Sequence, residues 1–240
     1  MPVTYNDEAL KAQGIAAYTF ALYRKQFSDK EYDITADYTV DQTFLTDEEQ
    51  QEKWGSSYSE NKEKLKQIAE CIKGKWLSFD GKPALTVYHA VSCGVTYSAK
   101  DVWGKDVSYL KSVDSSFDKK SKDYSNVFEI SKNDFYKMTG LKEKDEMPKI
   151  KTNKDKNGRI KSMSIDGKEF DTSKFVKTFG LKSQNFDIEI NNSDLIMKIT
   201  TFGYGHGVGM SQYGANSLAE SGSKYKEILH HYYAGCSIEG

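Results

Sequence analysis

Residues 8 to 26, EALKAQGIAAYTFALYRKQ, put Leu10, Gly14, Ala17 and Ala21 on one stripe, with Ile15, Thr19 and Leu22 beside it. That spacing predicts a helix, and its small residues allow a neighbouring backbone to come close. Thr4 or Asn6 suits the cap, which sets Glu8 in the first turn. Residues 30 to 56 show little periodicity and read as a short strand and a loop. From Ser57 to Ile72 the set Leu65, Ile68, Ala69 and Ile72 again has helical spacing, and Gly74 supplies the stop. KWLSF and KPALTVYHAV, rich in strand formers, flank Asp80-Gly81 and predict a β-hairpin. Residues 92 to 115 carry Gly94, Trp103, Gly104, Tyr109 and Leu110 without period, which suits an ordered loop.

The text then turns Lys-rich. NVFEI predicts a strand, SKNDFYKMTG a capped helix, and Asn157-Gly158 and Asp166-Gly167 hairpin turns. TSKFVKTFG predicts a further helix, FDIEI and LIMKITTF two strands, and residues 210 to 221 and 224 to 233 two closing helices. Helices and short antiparallel strands in mixed order mean an α+β fold with a substrate groove. One domain over residues 1 to 240, with a small, variable, β-rich subdomain at about 116 to 195, accommodates these elements.

Charge and composition exclude more than they select. Thirty-four basic residues against 35 acidic give a net charge of −1, so the chain lacks the positive field of a nucleic-acid binder. Sixteen Tyr and 12 Phe suit strands and core more than a sugar-stacking surface. Three cysteines allow at most one disulfide and lack the paired spacing of a zinc site. No apolar run reaches membrane-spanning length, and Met1-Pro2 stands a few residues before a helix without a leader, as expected of a domain excised from an exported protein.

The densest chemical text is TFGYGHGVGMSQYGA, with glycine at 203, 205, 207 and 209 around His206, followed by Ser211, Gln212 and Tyr213. Alternating glycine lets the main chain approach a ligand closely, and Ser211 and Gln212 fall where a helix begins, so that their donors can meet substrate oxygens. It is not a dinucleotide fingerprint, because Val208 occupies the place of the third glycine. A structural glycine turn with a satisfied histidine is the simpler alternative. Glu8 alone reads equally as a carboxylate favoured by the helix dipole. His89 and Cys93 lack a third and fourth ligand at recognisable spacing, so no metal and no cofactor is expected.

Three blocks, MPVTYNDEALKAQGIAAYTFALY, LTVYHAVSCGVTYSAKDVWGKDVSYLKSVDSSFD and GYGHGVGMSQYGANSLAESGSKYKEILHHYYAGCSI, in that order, resemble the SpoIID/LytB family of sporulation and amidase-enhancer proteins. The resemblance implies a peptidoglycan lytic transglycosylase that cuts between N-acetylmuramic acid and N-acetylglucosamine and leaves a 1,6-anhydro end. It places the catalytic acid on Glu8, and substrate contacts on Lys11, Gln13, Tyr204, His206, Ser211, Gln212 and Tyr213. It implies glycan strands, a cell-wall amidase and sporulation membrane proteins as partners, and an extracytoplasmic, membrane-anchored full-length protein active in engulfment.

The chain departs from the family pattern at three places. Ala16-Ala17-Tyr18-Thr19 stands where members show Ala-Ala-Arg-Thr, and Ser92-Cys93-Gly94 where they show Ser-Gly-Gly. Tyr38-Thr39-Val40-Asp41-Gln42 stands where some relatives carry a His/Cys segment linked with zinc, so metal dependence does not carry over. A lytic transglycosylase can work with one carboxyl group, because the substrate's C6 hydroxyl supplies the nucleophile that hydrolases take from water or a second carboxylate. A general acid needs a raised pKa, whereas Lys11 and the helix start favour ionised Glu8; cover from Tyr204 or Tyr213 is the expected remedy. Two other readings compete: a non-catalytic glycan binder that enhances an amidase, and a cysteine amidase using Cys93 with His206 or His89 as base.

Overall fold

The computed structural model describes residues 1–27, 34–36 and 41–240. In chain order it forms α1 (Asp7–Lys25), α2 (Asp47–Trp54), α3 (Tyr58–Cys71), β1 (Trp76–Phe79), β2 (Lys82–Pro83), β3 (Tyr88–His89) and α4 (Ala99–Trp103). There follow β4 (Ser125–Ser131), α5 (Lys132–Thr139), β5 (Ile150–Lys154), β6 (Ile160–Ile165), β7 (Lys168–Phe170), α6 (Thr172–Thr178), β8 (Phe186–Asn191) and β9 (Ile196–Phe202). The last elements are β10 (Met210–Ser211), α7 (Gln212–Glu220), α8 (Tyr225–Tyr232) and β11 (Ser237–Glu239). Small antiparallel sheets among helices make an α+β fold, as the element order predicts. No described helix is long and apolar enough to cross a membrane.

The chain divides into two compact units. The first comprises residues 1–88, 97–113 and 208–240. Its centre is α1, which packs against α3, α7, α8 and β1 and buries Ala9, Leu10, Ala12, Ile15, Ala16 and Phe20. At Gly14 a Cβ would run into Ile72 Cδ1, so the end of the Ile72 side chain fills the space that glycine leaves. Thr19 ties helix to sheet: its hydroxyl donates to the Ile15 carbonyl (2.7 Å) and accepts from the Leu77 amide (2.9 Å). The Asp80-Gly81 turn joins β1 to β2 as expected, and β11 pairs on the other edge of β1. The predicted second strand of that hairpin is broken, however, since residues 84–87 lie outside any strand.

Two helices were not foreseen. In α2 the Thr46 hydroxyl accepts from the Glu49 amide while the Glu49 carboxylate accepts from the Thr46 amide. This capping box starts a helix where the aperiodic text suggested a loop. In α4 the Ser98 hydroxyl caps a single turn by accepting from the Asp101 amide at 3.1 Å, and Gly104 ends it in a left-handed conformation. Tyr38, Thr39 and Val40, part of the segment compared with zinc-linked relatives, lie outside the described residues.

The second unit comprises residues 89–96 and 114–207. It holds two three-stranded antiparallel sheets, β4-β9-β8 and β5-β6-β7, with turns at Asn157-Gly158 and Asp166-Gly167 joining the latter. α5 and α6 carry Phe135 and Phe175 into a core with Phe179, Phe186, Met197 and Ile199.

Candidate functional site

The N-terminal turn of α1 is fastened from three sides. The Asn6 side chain caps the helix, accepting from the Glu8 amide at 2.9 Å, and the Asn6 amide donates to Asn216 Oδ1 on α7 at 2.8 Å. Asn216 is itself held, its Nδ2 donating to Glu220 Oε1 at 2.8 Å. From α3, Lys64 Nζ donates to the carbonyls of Val3 and Tyr5, both at 3.0 Å, and pairs with Asp7.

The Glu8 side chain, 17% exposed, is gripped at both oxygens. Lys11 Nζ lies 2.7 Å from Oε1, and the backbone amide of Tyr225, the first residue of α8, donates to Oε2 at 2.8 Å. Two helix N-termini therefore meet on one carboxylate, and each favours its negative charge. Burial pushes the Glu8 pKa upward, but the Lys11 and Tyr225 hydrogen bonds and the charges of Lys11 and Lys224 outweigh it, so the carboxyl sits below its ordinary value. Lys11, hydrogen-bonded to Glu8, is held above its own.

Further along α1, Gln13 Oε1 accepts from Gln212 Nε2 at 3.1 Å, and the Gln13 side chain is also hydrogen-bonded to the Tyr88 phenol. Tyr88 donates to Gln42 Oε1 at 2.6 Å, and Gln42 Nε2 donates to the Ala17 carbonyl at 3.1 Å. Ser211 is fully buried and caps α7, its hydroxyl accepting from the Gly214 amide at 3.1 Å. The Tyr213 ring stands edge-on to Tyr5, with centroids 6.5 Å apart. Glu8, Lys11, Gln13, Ser211, Gln212 and Tyr213 thus belong to one compact unit.

Tyr204 and His206 belong to the second unit. Tyr204 is 42% exposed, and the Lys182 ammonium lies over its ring, 4.7 Å from the centroid. His206 packs its ring against that of buried His89, with centroids 5.7 Å apart. The glycines here meet the chain's own backbone. At Gly203, with φ +80°, a Cβ would stand 2.9 Å from the Val91 carbonyl oxygen, and at Gly209, in the first unit with φ +68°, it would collide with the Val87 carbonyl. Cys93 Sγ lies 3.6 Å from the Val95 carbonyl and 3.8 Å from the Asn157 carbonyl, as a donor to both. Among the described residues no group of three or more His, Cys, Asp or Glu side chains is placed to hold a metal ion.

Four residues of the Glu8 environment had no sequence signal: Gln42, Tyr88, Asn216 and Tyr225. Asn216 and Tyr225 act across 210 and 217 residues of chain, and Tyr225 through its backbone.

A family model described as stage II sporulation protein matches residues 1–79. Stage II sporulation protein D of Bacillus amyloliquefaciens is 34% identical over 244 residues, covering 99% of this chain and 70% of that protein. The protein of the same name from Bacillus subtilis (strain 168) is 34% identical over 245 residues, with the same coverage of 99% and 70%. The amidase enhancer of Bacillus subtilis (strain 168) is 27% identical over 301 residues, covering 99% of this chain and 39% of that protein.

Proposed function

The chain belongs to the stage II sporulation protein D family, and from that premise we propose that it is a peptidoglycan lytic transglycosylase. It cuts the bond between N-acetylmuramic acid and N-acetylglucosamine in the cell envelope during engulfment, with Glu8 as its single catalytic carboxyl group. The observation that carries this reading is the grip on Glu8: a carboxylate fixed at both oxygens, by Lys11 at 2.7 Å and by the Tyr225 amide at 2.8 Å, is preorganised for one task.

At rest the carboxylate is ionised, so Glu8 has to take a proton from solvent as the substrate binds. A glycan strand that displaces the Lys11 ammonium from Oε1 and excludes water removes the main stabiliser of the charge, leaving burial to raise the pKa. Glu8 then takes up a proton and passes it to the leaving glycosidic oxygen as the bond to C1 breaks. The resulting carboxylate accepts the C6 hydroxyl proton while that oxygen attacks C1, which closes the 1,6-anhydro ring without adding water. Gln13, Gln212 and Tyr213, in the same unit as Glu8, are its contacts to the strand in this reading. A cell-wall amidase and sporulation membrane proteins are its partners in this reading.

Mass spectrometry of purified strands, with and without stem peptides, tests the reading in parent and Glu8→Gln proteins. Anhydro-muramic ends made by the parent and absent with the variant support it; reducing ends mean a hydrolase with a second carboxylate. A second reading, a glycan binder that stimulates an amidase, is favoured by the resting ionisation of Glu8 and by the amidase-enhancer relative. Bound strands without new ends of either kind select it.

A further inference from the structure

The hydrogen-bonded chain from Gln42 to Gln212 has a direction that its first link settles. Gln42 Nε2 donates to the Ala17 carbonyl, a group that can only accept, so Gln42 Oε1 faces the other way and receives the Tyr88 proton. A phenol has one proton. With it spent on Gln42, Tyr88 can only accept from Gln13, which turns Gln13 Nε2 toward Tyr88 and Gln13 Oε1 toward Gln212 Nε2. Burial pushes the Tyr88 pKa up to about 12, so the proton that sets this order is present across the physiological range. Each side chain passes on the orientation of the one before it. At the far end the oxygen left over is Gln212 Oε1, which receives no hydrogen bond among the described residues.

We propose that Gln42 and Tyr88 are positioning residues that fix Gln212 Oε1 as an acceptor for an acetamido N–H or hydroxyl of a sugar next to the scissile bond. Gln212 meets α1 at Gln13, five residues past Glu8 and so about 7.5 Å along the helix, which points to a neighbouring sugar and not to the reacting oxygen. The proposal rests on the glycan reading of Glu8. It replaces the donor role expected of Gln212 from its position at a helix start with an acceptor role imposed from behind.

The order of the chain makes a rescue possible. Tyr88→Phe takes the acceptor from Gln13 Nε2 and releases both amides. Gln42→Leu frees the Tyr88 proton to point at Gln13 and reverse the chain. Gln13→Glu alone captures the Tyr88 proton, leaving Gln42 Oε1 without it. In either of the first two backgrounds, however, Gln13→Glu presents an oxygen to Gln212 Nε2 whichever way it turns.

The test measures binding of glycan oligomers of defined length by calorimetry in the Glu8→Gln background, KM and kcat for anhydro-end formation with Glu8 present, and thermal unfolding of every variant. Tyr88→Phe and Gln42→Leu each weaken binding and raise KM roughly three- to tenfold, with kcat moving less, whereas Gln13→Glu alone keeps an oxygen on Gln212 Nε2 and binds as the parent does. Adding Gln13→Glu to Tyr88→Phe or to Gln42→Leu restores binding to within about twofold, the reverse of the additive losses that mere packing produces. Additive losses, or Tyr88→Phe and Gln42→Leu proteins that bind as the parent does, overturn the proposal. Oligomers bound and never cut, with the rescue intact, remove the lytic reading and leave the acceptor in place. Cutting with additive losses does the opposite, and a parent that neither binds nor cuts removes both.

Discussion

Hydrogen bonds fix the turn that carries Glu8, whereas the apolar core of the unit formed by residues 89–96 and 114–207 is held by the packing of aromatic and aliphatic side chains. The first unit buries Thr19, Thr86, Ser211 and Asn216, each hydrogen-bonded, with the Thr86 hydroxyl donating to the Ala16 carbonyl of α1 at 2.8 Å. The core of the second stacks Phe135 on Phe179 (5.6 Å, 13°) and Phe175 on Phe186 (5.5 Å, 14°), all four buried. An apolar core depends on volume and tolerates exchange that conserves it. A hydrogen bond depends on which atom faces which, and a buried group left unpaired costs more than the bond contributed. The same chain thus uses shape in that core and direction where it holds Glu8.

Substitutions separate the two. Glu8→Gln keeps the acceptor for the Tyr225 amide, so the fold stands while anhydro-end formation falls by about 10³-fold in a strand-cutting assay. Phe175→Ala has the opposite character: unfolding by denaturant shows a loss of about 3–5 kcal/mol, and turnover per folded molecule is unchanged. Asn216→Leu lies between them, because it orphans the Asn6 amide behind the Glu8 turn. It costs about 1–3 kcal/mol in the same unfolding assay, with turnover per folded molecule reduced as well.

The smallest effect is Lys11→Met. Glu8 has its pKa lowered in the fold, so its contribution is present above the unfolded carboxyl value, near pH ~4.3, and is lost as pH falls through the folded value. Lys11 has its pKa raised, so its contribution holds at lower pH and is lost as pH rises through the raised value. Lys11→Met therefore lowers stability near neutral pH by under about 1 kcal/mol and not at all in strong acid, as melting curves at several pH values will register. It also moves the alkaline fall of activity to higher pH, because Glu8 then holds a proton more readily.

Much of this was legible beforehand, and where reading stopped the reason is physical. Helical spacing and the Asn6 cap located α1 and put Glu8 in its first turn, because periodicity and capping are local. The α2 helix was missed although its box, Thr46 to Glu49, stood in the sequence, because its largely charged residues gave no apolar period to prompt the search. Tension between Lys11 and a general acid was visible from their spacing, and the structure resolves it toward the carboxylate. The expected donor role of Gln212 did not anticipate what stands behind it. Gln42 and Tyr88 lie 46 residues apart, and neither carries a motif. Such a link depends on tertiary contact, which no window along the chain contains.

The hold of Tyr225 on Glu8 also sets an order of events in time. Ribosomes deliver the N-terminus first, so Glu8 exists long before the residue 217 positions later that must grip it. Contacts between distant parts of a chain close late, after the loop entropy between them has been overcome. A half-made or truncated polypeptide therefore carries the carboxyl group without its clamp. The grip on Glu8 arrives only with α8, so whatever the clamped carboxylate does must wait until synthesis has passed that helix.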